Sequence, residues 1–509
     1  MENNSKRLAK NTAVLTFKML FLLVINLYTS RILLKALGVD DYGIYNAVGG
    51  IVTMFSIISG SITAAITRFL TFELGKGDNQ NLSKIFSTSV IVQILIAGIV
   101  VILAETLGLW FLNSQMNIPA DRMVAANWVY QFSIITFAIN LISIPYNATI
   151  IAHERMSTFA YISLYEGLFK LITSYAIFIS PIDTLIFYAL ALCILSVSIR
   201  FIYTIYCNKR FTECKIKWQF EKGLVKEMFG FAGWNFIGAA AGLLRDQGGN
   251  IVINIFCGPV ANAARGIAYQ VNNAVYSFLS SFTTAMHPQI TKSYASEDKK
   301  YFMSLLFRGS KLSFFILFVI SLPILVNTEY VVDLWLGQNP NYTNSFIRLV
   351  LILSMSEAIS TPLITATLAT GNIKKYQIIV GGLNIMNLPI SYILLRIGLS
   401  PVFVFIIAIV ISHLCLYARL FILKELINLD SNKFLIEVYL RIIITSVIAV
   451  LPSFILQKYI DINFHTFLLV SLISVFCAIF SIWLIGITRR EKEIIKKQIK
   501  IIYNKFKKK

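Results

Sequence analysis

Five basic side chains stand inside long apolar runs of this sequence: Lys18, Arg31, Arg68, Arg245 and Arg265. If those runs cross a bilayer, a cation at mid-depth costs about 2.5–3.5 kcal/mol on insertion scales and must face protein or a wet cavity. Guanidinium forks match the oxygens of a phosphate, and desolvated charge-assisted bonds are the strong ones. The chemistry on offer is anion capture. Two acids sit at similar depth, Asp246 and Glu357, and a buried carboxylate of this kind is a candidate for coupling to H+ or Na+.

Each cation also has a plainer reading. Arg68, Arg265 and Arg31 lie towards the ends of their runs, and Lys18 is about two helical turns, roughly 9 Å, inside its own, so these can snorkel. Arg245 is too central for that. Its plainer reading is an ion pair, and the acid must then come from another span, because adjacent Asp246 is expected on a different face of the helix. Glu166 and Lys170 are four residues apart in the favourable order and should neutralise one another. His287, before Pro288 at an expected kink, reads as an ordinary helix residue.

Composition says what must hold these groups. Of 509 residues 57% are hydrophobic and 14% charged, with mean hydropathy +0.73. Soluble domains average about 45–50% apolar and 25% charged, so one core cannot hide this much apolar surface. Lipid can. The net charge of +20 would suggest nucleic acid in a soluble chain, but here the basic residues gather in short loops and a tail, which argues against a nucleic-acid partner.

Apolar runs long enough to cross as helices predict about fourteen spans, near 12–38, 42–71, 84–112, 121–150, 157–180, 182–207, 228–257, 261–291, 303–327, 344–370, 374–397, 400–426, 434–458 and 463–488. They are twice the length of barrel strands and do not alternate, so the fold class is all-α. The first run is too long for a signal peptide and is read as retained. Lysine and arginine concentrate in alternate loops (Lys209, Arg210, Lys215, Lys217, Lys222 and Lys226 in one of them), which places both termini in the cytoplasm.

An internal offset of 220 residues aligns Gly38 with Gly258 and Ser61–Ala65 with Ser281–Ala285, and one of 217 aligns Pro145 with Pro362. The expected organisation is a six-helix lobe (1–207), a basic cytoplasmic linker (208–227), a second six-helix lobe (228–433), two extra helices (434–488) and a basic tail (489–509). Six spans per unit is even, so the repeat is parallel, and sites in repeat-built transporters lie between the halves. The six cysteines have no paired or metal-ligand spacing, no nucleophile or phosphate-loop motif is present, and neither metal nor cofactor is expected.

Several motifs together resemble a known group. They are Leu37–Tyr45, Thr67–Leu70, Pro145-Tyr146-Asn147, Ala152–Arg155, Gly233-Trp234-Asn235, Gly258–Gly266 and Ala369-Thr370-Gly371. The chain resembles the O-antigen and capsule repeat-unit flippases of the multidrug/oligosaccharidyl-lipid/polysaccharide exporter superfamily. That resemblance implies two lobes around a cavity lined by spans one, two, seven and eight. There Lys18, Arg31, Arg68, Arg245 and Arg265 would receive the pyrophosphate of an undecaprenyl-diphosphate-linked glycan at the bacterial cytoplasmic membrane, beside membrane lipid and other polysaccharide-assembly proteins. The two extra helices resemble those of lipid II flippases and are a departure from twelve-span members. The alternatives are a cation-coupled multidrug exporter, a membrane polymerase or ligase, and a scaffold without transport.

Overall fold

A computed structural model describes residues 2–53, 56–114, 118–215, 221–336, 341–459, 463–488 and 491–493. Within these, the side chains of 2–6, 27, 30–31, 34, 38–40, 42–43, 46–47, 49–53, 56–58, 79, 254, 259, 262–263, 336 and 458–459 lie outside the described set, Arg31 among them. Five residues of the linker (216–220) and the tail beyond 493 also lie outside it.

The described chain is helical throughout, with no strand among the described residues. The long helices are α1 (Glu2–Thr53), α2 (Ser56–Lys76), α3 (Asn79–Leu103), α4 (Met123–Ala152), α5 (Met156–Ala176), α6 (Thr184–Arg210) and α7 (Lys222–Ala295). They continue with α8 (Lys299–Val326), α9 (Thr343–Thr370), α10 (Lys374–Arg396), α11 (Val402–Ile427), α12 (Arg441–Tyr459) and α13 (Phe464–Ser481). Eleven described segments are long and apolar enough to cross a membrane. Of the fourteen expected spans, those near 42–71, 228–257 and 261–291 are the ones outside the eleven. The latter two are limbs of α7, in which Arg245, Asp246, Gln247 and Asn250 lower the apolarity of the first and Arg265, Gln270, Asn272 and Asn273 that of the second. The protein is an all-helical, multi-pass membrane protein.

Local chemistry sets where helices start. Asp78 caps α3 by accepting from the backbone N–H of Gln80 and Asn81, and Asp183 caps α6 through Leu185 and Ile186. Asn463 and Thr466 form a reciprocal capping box at α13. Arg122, just before α4, bonds Asp183 (Nη1 to Oδ2, 2.7 Å) and also Asp41 of α1 (Nε to Oδ1, 2.8 Å). One guanidinium thus ties three helices at one end.

The chain divides into two compact units. One is Met1–Ala240 with Thr284–Lys299 and Leu368–Lys374; the other is Ala241–Thr283, Lys300–Thr367 and Lys375–Lys509. In the first unit, polar as well as apolar side chains turn inward. Helix α3 buries Ser87, Thr88, Ser89 and Gln93 while exposing Leu95, Ile99 and Ile102. Lipid accepts the apolar face, and small polar residues let helices approach closely. Ser89 keeps its hydroxyl satisfied on the carbonyl of Ile85 (2.7 Å). Its apolar core includes Ile66, Leu70, Phe86, Tyr146 and Ile150. In the second unit Tyr376, Val380, Ile411, Cys415 and Ile422 join α10 to α11.

Two contacts in the first unit generate predictions. A Cβ at Gly75 of α2 would lie 2.7 Å from Cβ of Ala295 and 2.8 Å from the carbonyl oxygen of Lys292, so backbone itself stands in the way. Gly75→Ala should cost about 1–3 kcal/mol in thermal unfolding of the purified protein, whereas Gly60→Ala, with nothing within 4 Å, should not. After α6, the His153 ring stacks on Phe211 (centroids 4.1 Å apart) and its Nε2 meets Glu213 Oε1 at 2.5 Å. Burial works against an ionised Glu213, but the hydrogen bonds from His153 and from its own backbone N–H outweigh it and hold the carboxyl below the usual range. A depressed folded-state pKa stabilises above the unfolded value and is lost as pH falls through the folded one. Glu213→Gln should therefore lower the melting temperature at neutral pH, with the difference from the natural protein closing as pH drops through the carboxylate range.

Candidate functional site

Four of the seven candidate residues meet in the second unit. Gly258, at φ 77°, interrupts α7, and the chain folds back so that its second limb lies against its first. Arg265 then reaches residues passed 15 and 19 positions earlier: Nη1 donates to Asn250 Oδ1 (3.2 Å) and Nη2 to the carbonyl oxygen of Asp246 (2.7 Å). Its guanidinium lies 4.3 Å from the Tyr269 ring centroid.

Arg245 is held from three sides. Its Nε donates to Asp246 Oδ1 (3.0 Å), and its Nη1 to Glu357 Oε1 of α9 (2.5 Å) and to Asn384 Oδ1 of α10 (3.2 Å). Glu357 is the acid from another span that the pairing reading requires. Asp246 corrects the expectation that it points elsewhere: Nε branches early from the arginine stem and reaches the next residue's carboxylate. The Arg245 side chain is 15% exposed, against 36% for Glu357 and 43% for Asp246, so the cation is the buried partner and the acids are the open ones. Gly248 makes room nearby, since a Cβ there would lie 2.6 Å from Leu388 Cδ1 of α10.

Lys18 and Arg68 belong to the first unit, and no described contact joins them to each other. Lys18 Nζ stands 4.2 Å above the Phe159 ring, with Glu166 within electrostatic reach. Glu166 is itself bonded to Lys170 at 2.6 Å, as their spacing predicts. Arg68 is turned into protein: Nη2 donates to the carbonyl oxygen of Ala369 (3.2 Å), and the rings of Phe69, Phe72 and Phe231 surround the guanidinium. Gly371, at φ 79°, permits this, because a Cβ there would sit 2.5 Å from Nη2. Arg68 lines a cavity of about 400 Å³ with Glu227, Phe231, Trp234, Asn372 and Lys374. Arg31 lies outside the described side chains.

Among the further cations of the expected spans that sequence reasoning passed over, two match across the repeat. Arg200 of α6 donates to the carbonyl oxygen of Ile142 (3.0 Å) and covers the Tyr146 ring. Arg419 of α11 donates to Ser360 Oγ (3.1 Å) near the Tyr376 ring. Donor and acceptor recur 219 and 218 residues apart, close to the repeat offset, and that near-coincidence is the signal that would have found them.

The Arg245 cluster makes a thermodynamic prediction. Removing one partner of a buried pair leaves the other uncompensated, at about 3–5 kcal/mol, and the partial exposure of Glu357 reduces this to about 1–3 kcal/mol. Arg245→Met alone should destabilise by that amount in thermal unfolding. Arg245→Met with Glu357→Met should recover most of it, as a double-mutant cycle would read.

With this geometry in place, comparison with known proteins assigns the chain. The profile of the family described as "Polysaccharide biosynthesis protein" matches residues 8–294, and that of the MatE family matches 248–393. No curated protein matches the sequence. Among solved structures, an outward-facing multidrug resistance MATE family transporter of the MOP superfamily superposes with TM-score 0.71 at 11% identity, covering 82% of this chain and 94% of its own. A MOP superfamily transporter from Pyrococcus furiosus, described as having a binding pocket of reversed polarity that suggests a different function, gives 0.69 at 12%, covering 82% and 96%. A Vibrio cholerae MATE transporter gives 0.67 at 15%, covering 83% and 98%. At these identities the structures establish a shared fold. The chain belongs to the polysaccharide biosynthesis protein family, within the multidrug/oligosaccharidyl-lipid/polysaccharide (MOP) superfamily of membrane transporters.

Proposed function

We propose that this transporter is a flippase that moves an undecaprenyl-diphosphate-linked oligosaccharide from the inner to the outer leaflet of the bacterial cytoplasmic membrane by alternating access, with both termini cytoplasmic. The observation that carries this reading is a charge imbalance. The four candidate cations with described side chains (Lys18, Arg68, Arg245 and Arg265) stand against two candidate carboxylates, Asp246 and Glu357, and both of those face Arg245. Lys18 and Arg68 are bonded to no carboxylate in the described contacts, and Arg265 touches Asp246 through a backbone oxygen. The acids nearest Lys18 and Arg68 are themselves matched by other lysines, Glu166 by Lys170 and Glu73 by Lys76, and Glu227 shares the Arg68 cavity with Lys374; the surplus is positive, which suits a diphosphate and repels a cationic drug. Membership of a polysaccharide biosynthesis family over 8–294 supports the same substrate class.

In this reading 1–207 and 228–433 are the rocking lobes, 208–227 is their linker, and 434–488 adds a helix pair beside the polyprenyl tail. The more exposed acids, Asp246 and Glu357, are the candidates for coupling to an H+ or Na+ gradient, since protonation or a cation there would loosen Arg245 for the diphosphate. A ligand drives the change only by binding one conformation better than the other. The rival is a cation-coupled multidrug exporter, which the MatE match over 248–393 favours. Its drugs need an acidic site, and Asp246 with Glu357 would supply one if Arg245 swung away.

Charge exchange separates the two. Arg245→Glu should lower outer-leaflet glycan at least tenfold in an export-deficient strain. Arg245→Glu with Glu357→Arg restores an ion pair and hence protein level, but moves the cation; export should stay low. Full export from the exchanged pair would remove Arg245 from substrate handling, and drug resistance conferred by the natural chain without glycan export would establish the rival.

A further inference from the structure

The most fully enclosed carboxylate described in the first unit belongs to no site discussed so far. Glu154 occupies the turn between α4 and α5, its side chain is 0% exposed, and its backbone is left-handed at φ 57°, a conformation that a residue with a Cβ adopts only under constraint. The constraint is visible in its partners. From α1, Arg7 donates Nε to Oε2 (2.9 Å) and Nη2 to Oε1 (3.0 Å), while Asn11 Nδ2 donates to the Glu154 carbonyl oxygen (3.3 Å). From the tail of α7, Lys292 Nζ donates to Oε1 (3.1 Å) and Gln289 Nε2 to Oε2 (3.1 Å). One carboxylate joins three elements. Beside it Leu15, Met156 and Ala285, from the same elements, form a small buried apolar cluster.

The α7 tail has an unusual place in the chain. Thr284–Lys299 packs with the first unit, yet the segments on both sides of it in sequence, Ala241–Thr283 and Lys300–Thr367, belong to the second. The tail is thus continuous in sequence with the second unit at both its ends, and it is fastened to the first through Glu154. The fastening is of a kind that can be undone. A permanent staple is at least as well made from apolar side chains, since burying ions costs desolvation. An ionic one separates into groups that water solvates as soon as it enters, and Arg7 is already 50% and Lys292 23% exposed.

We propose that Glu154, with Arg7, Asn11, Gln289 and Lys292, is a reversible latch, closed in this structure, that holds the α7 tail on the first unit and opens once in each transport cycle. The closed latch stands on geometry alone; its opening in the cycle rests on the flippase reading above.

Two arms test it, in a background whose six native cysteines are replaced by alanine. Leu15→Cys with Ala285→Cys leaves every latch donor intact. Oxidation should link the pair and lower glycan export roughly tenfold or more, and dithiothreitol should restore it. Cross-linked protein that exports at the reduced rate would overturn the latch. In the second arm, Ala285→Cys alone is labelled with a soluble maleimide in open membrane fragments, with no glycan involved. Adding Glu154→Gln should raise labelling about tenfold at unchanged protein level, because a neutral amide no longer holds two cations; if Glu154→Gln lowers the protein level, Lys292→Gln serves the same purpose. Unchanged labelling in both would show a static staple. Absence of export even from the reduced pair would count against the flippase reading, and the labelling arm would still decide the latch.

Discussion

A bilayer interior offers no water to a polar group, and the polar arrangements within the membrane helices of this protein answer that constraint. Serine and threonine hydroxyls return to carbonyls one turn back, as Ser89 does to Ile85 and Thr149 to Pro145. The arginines reach further, to a partner distant in sequence: Arg245 to Glu357, Arg265 to Asn250 and Asp246, Arg68 to Ala369, Arg200 to Ile142 and Arg419 to Ser360. Those bonds fix which helices lie together, and the fold is in large part a record of where its arginines found acceptors.

The glycines mark where those partnerships are made. At Gly258 the left-handed backbone doubles α7 back on itself and sets Arg265 against Asp246. At Gly371 the missing Cβ lets the Arg68 guanidinium lie on the chain. Gly75 lets α2 meet the backbone of the α7 tail just where Lys292 reaches Glu154. At Gly371 and Gly75 a small residue stands next to a cationic one, so sterics and electrostatics specify the same contact. Consistency of that kind is what gives a sequence one structure.

Much of the fold is legible in the sequence because the membrane reduces it to long apolar runs, and the helix starts carry their own signals in Asp78, Asp183 and Asn463. The need of Arg245 for an acid from another span is equally legible, since its depth excludes snorkelling. Which acid answers is a tertiary fact: Glu357 lies 112 residues away. The expectation for Asp246 fails for a local reason, because counting helix faces describes Cβ directions and not the reach of a guanidinium. Glu154 is less legible still. It stands in Ala152–Arg155, a stretch that carries the family resemblance, yet its partners come from positions 7, 11, 289 and 292, and no spacing rule links them.

What the account asks of this architecture is that unspent positive charge on membrane helices selects an anionic head group. Equilibrium binding to the reconstituted full-length protein measures that directly, comparing a polyprenyl-diphosphate glycan with the same glycan on an uncharged polyprenol and with a lipophilic cation. The account predicts binding of the diphosphate, weakened by added inorganic pyrophosphate, and little of the other two. Equal affinity for the uncharged lipid, or preference for the cation, would contradict it.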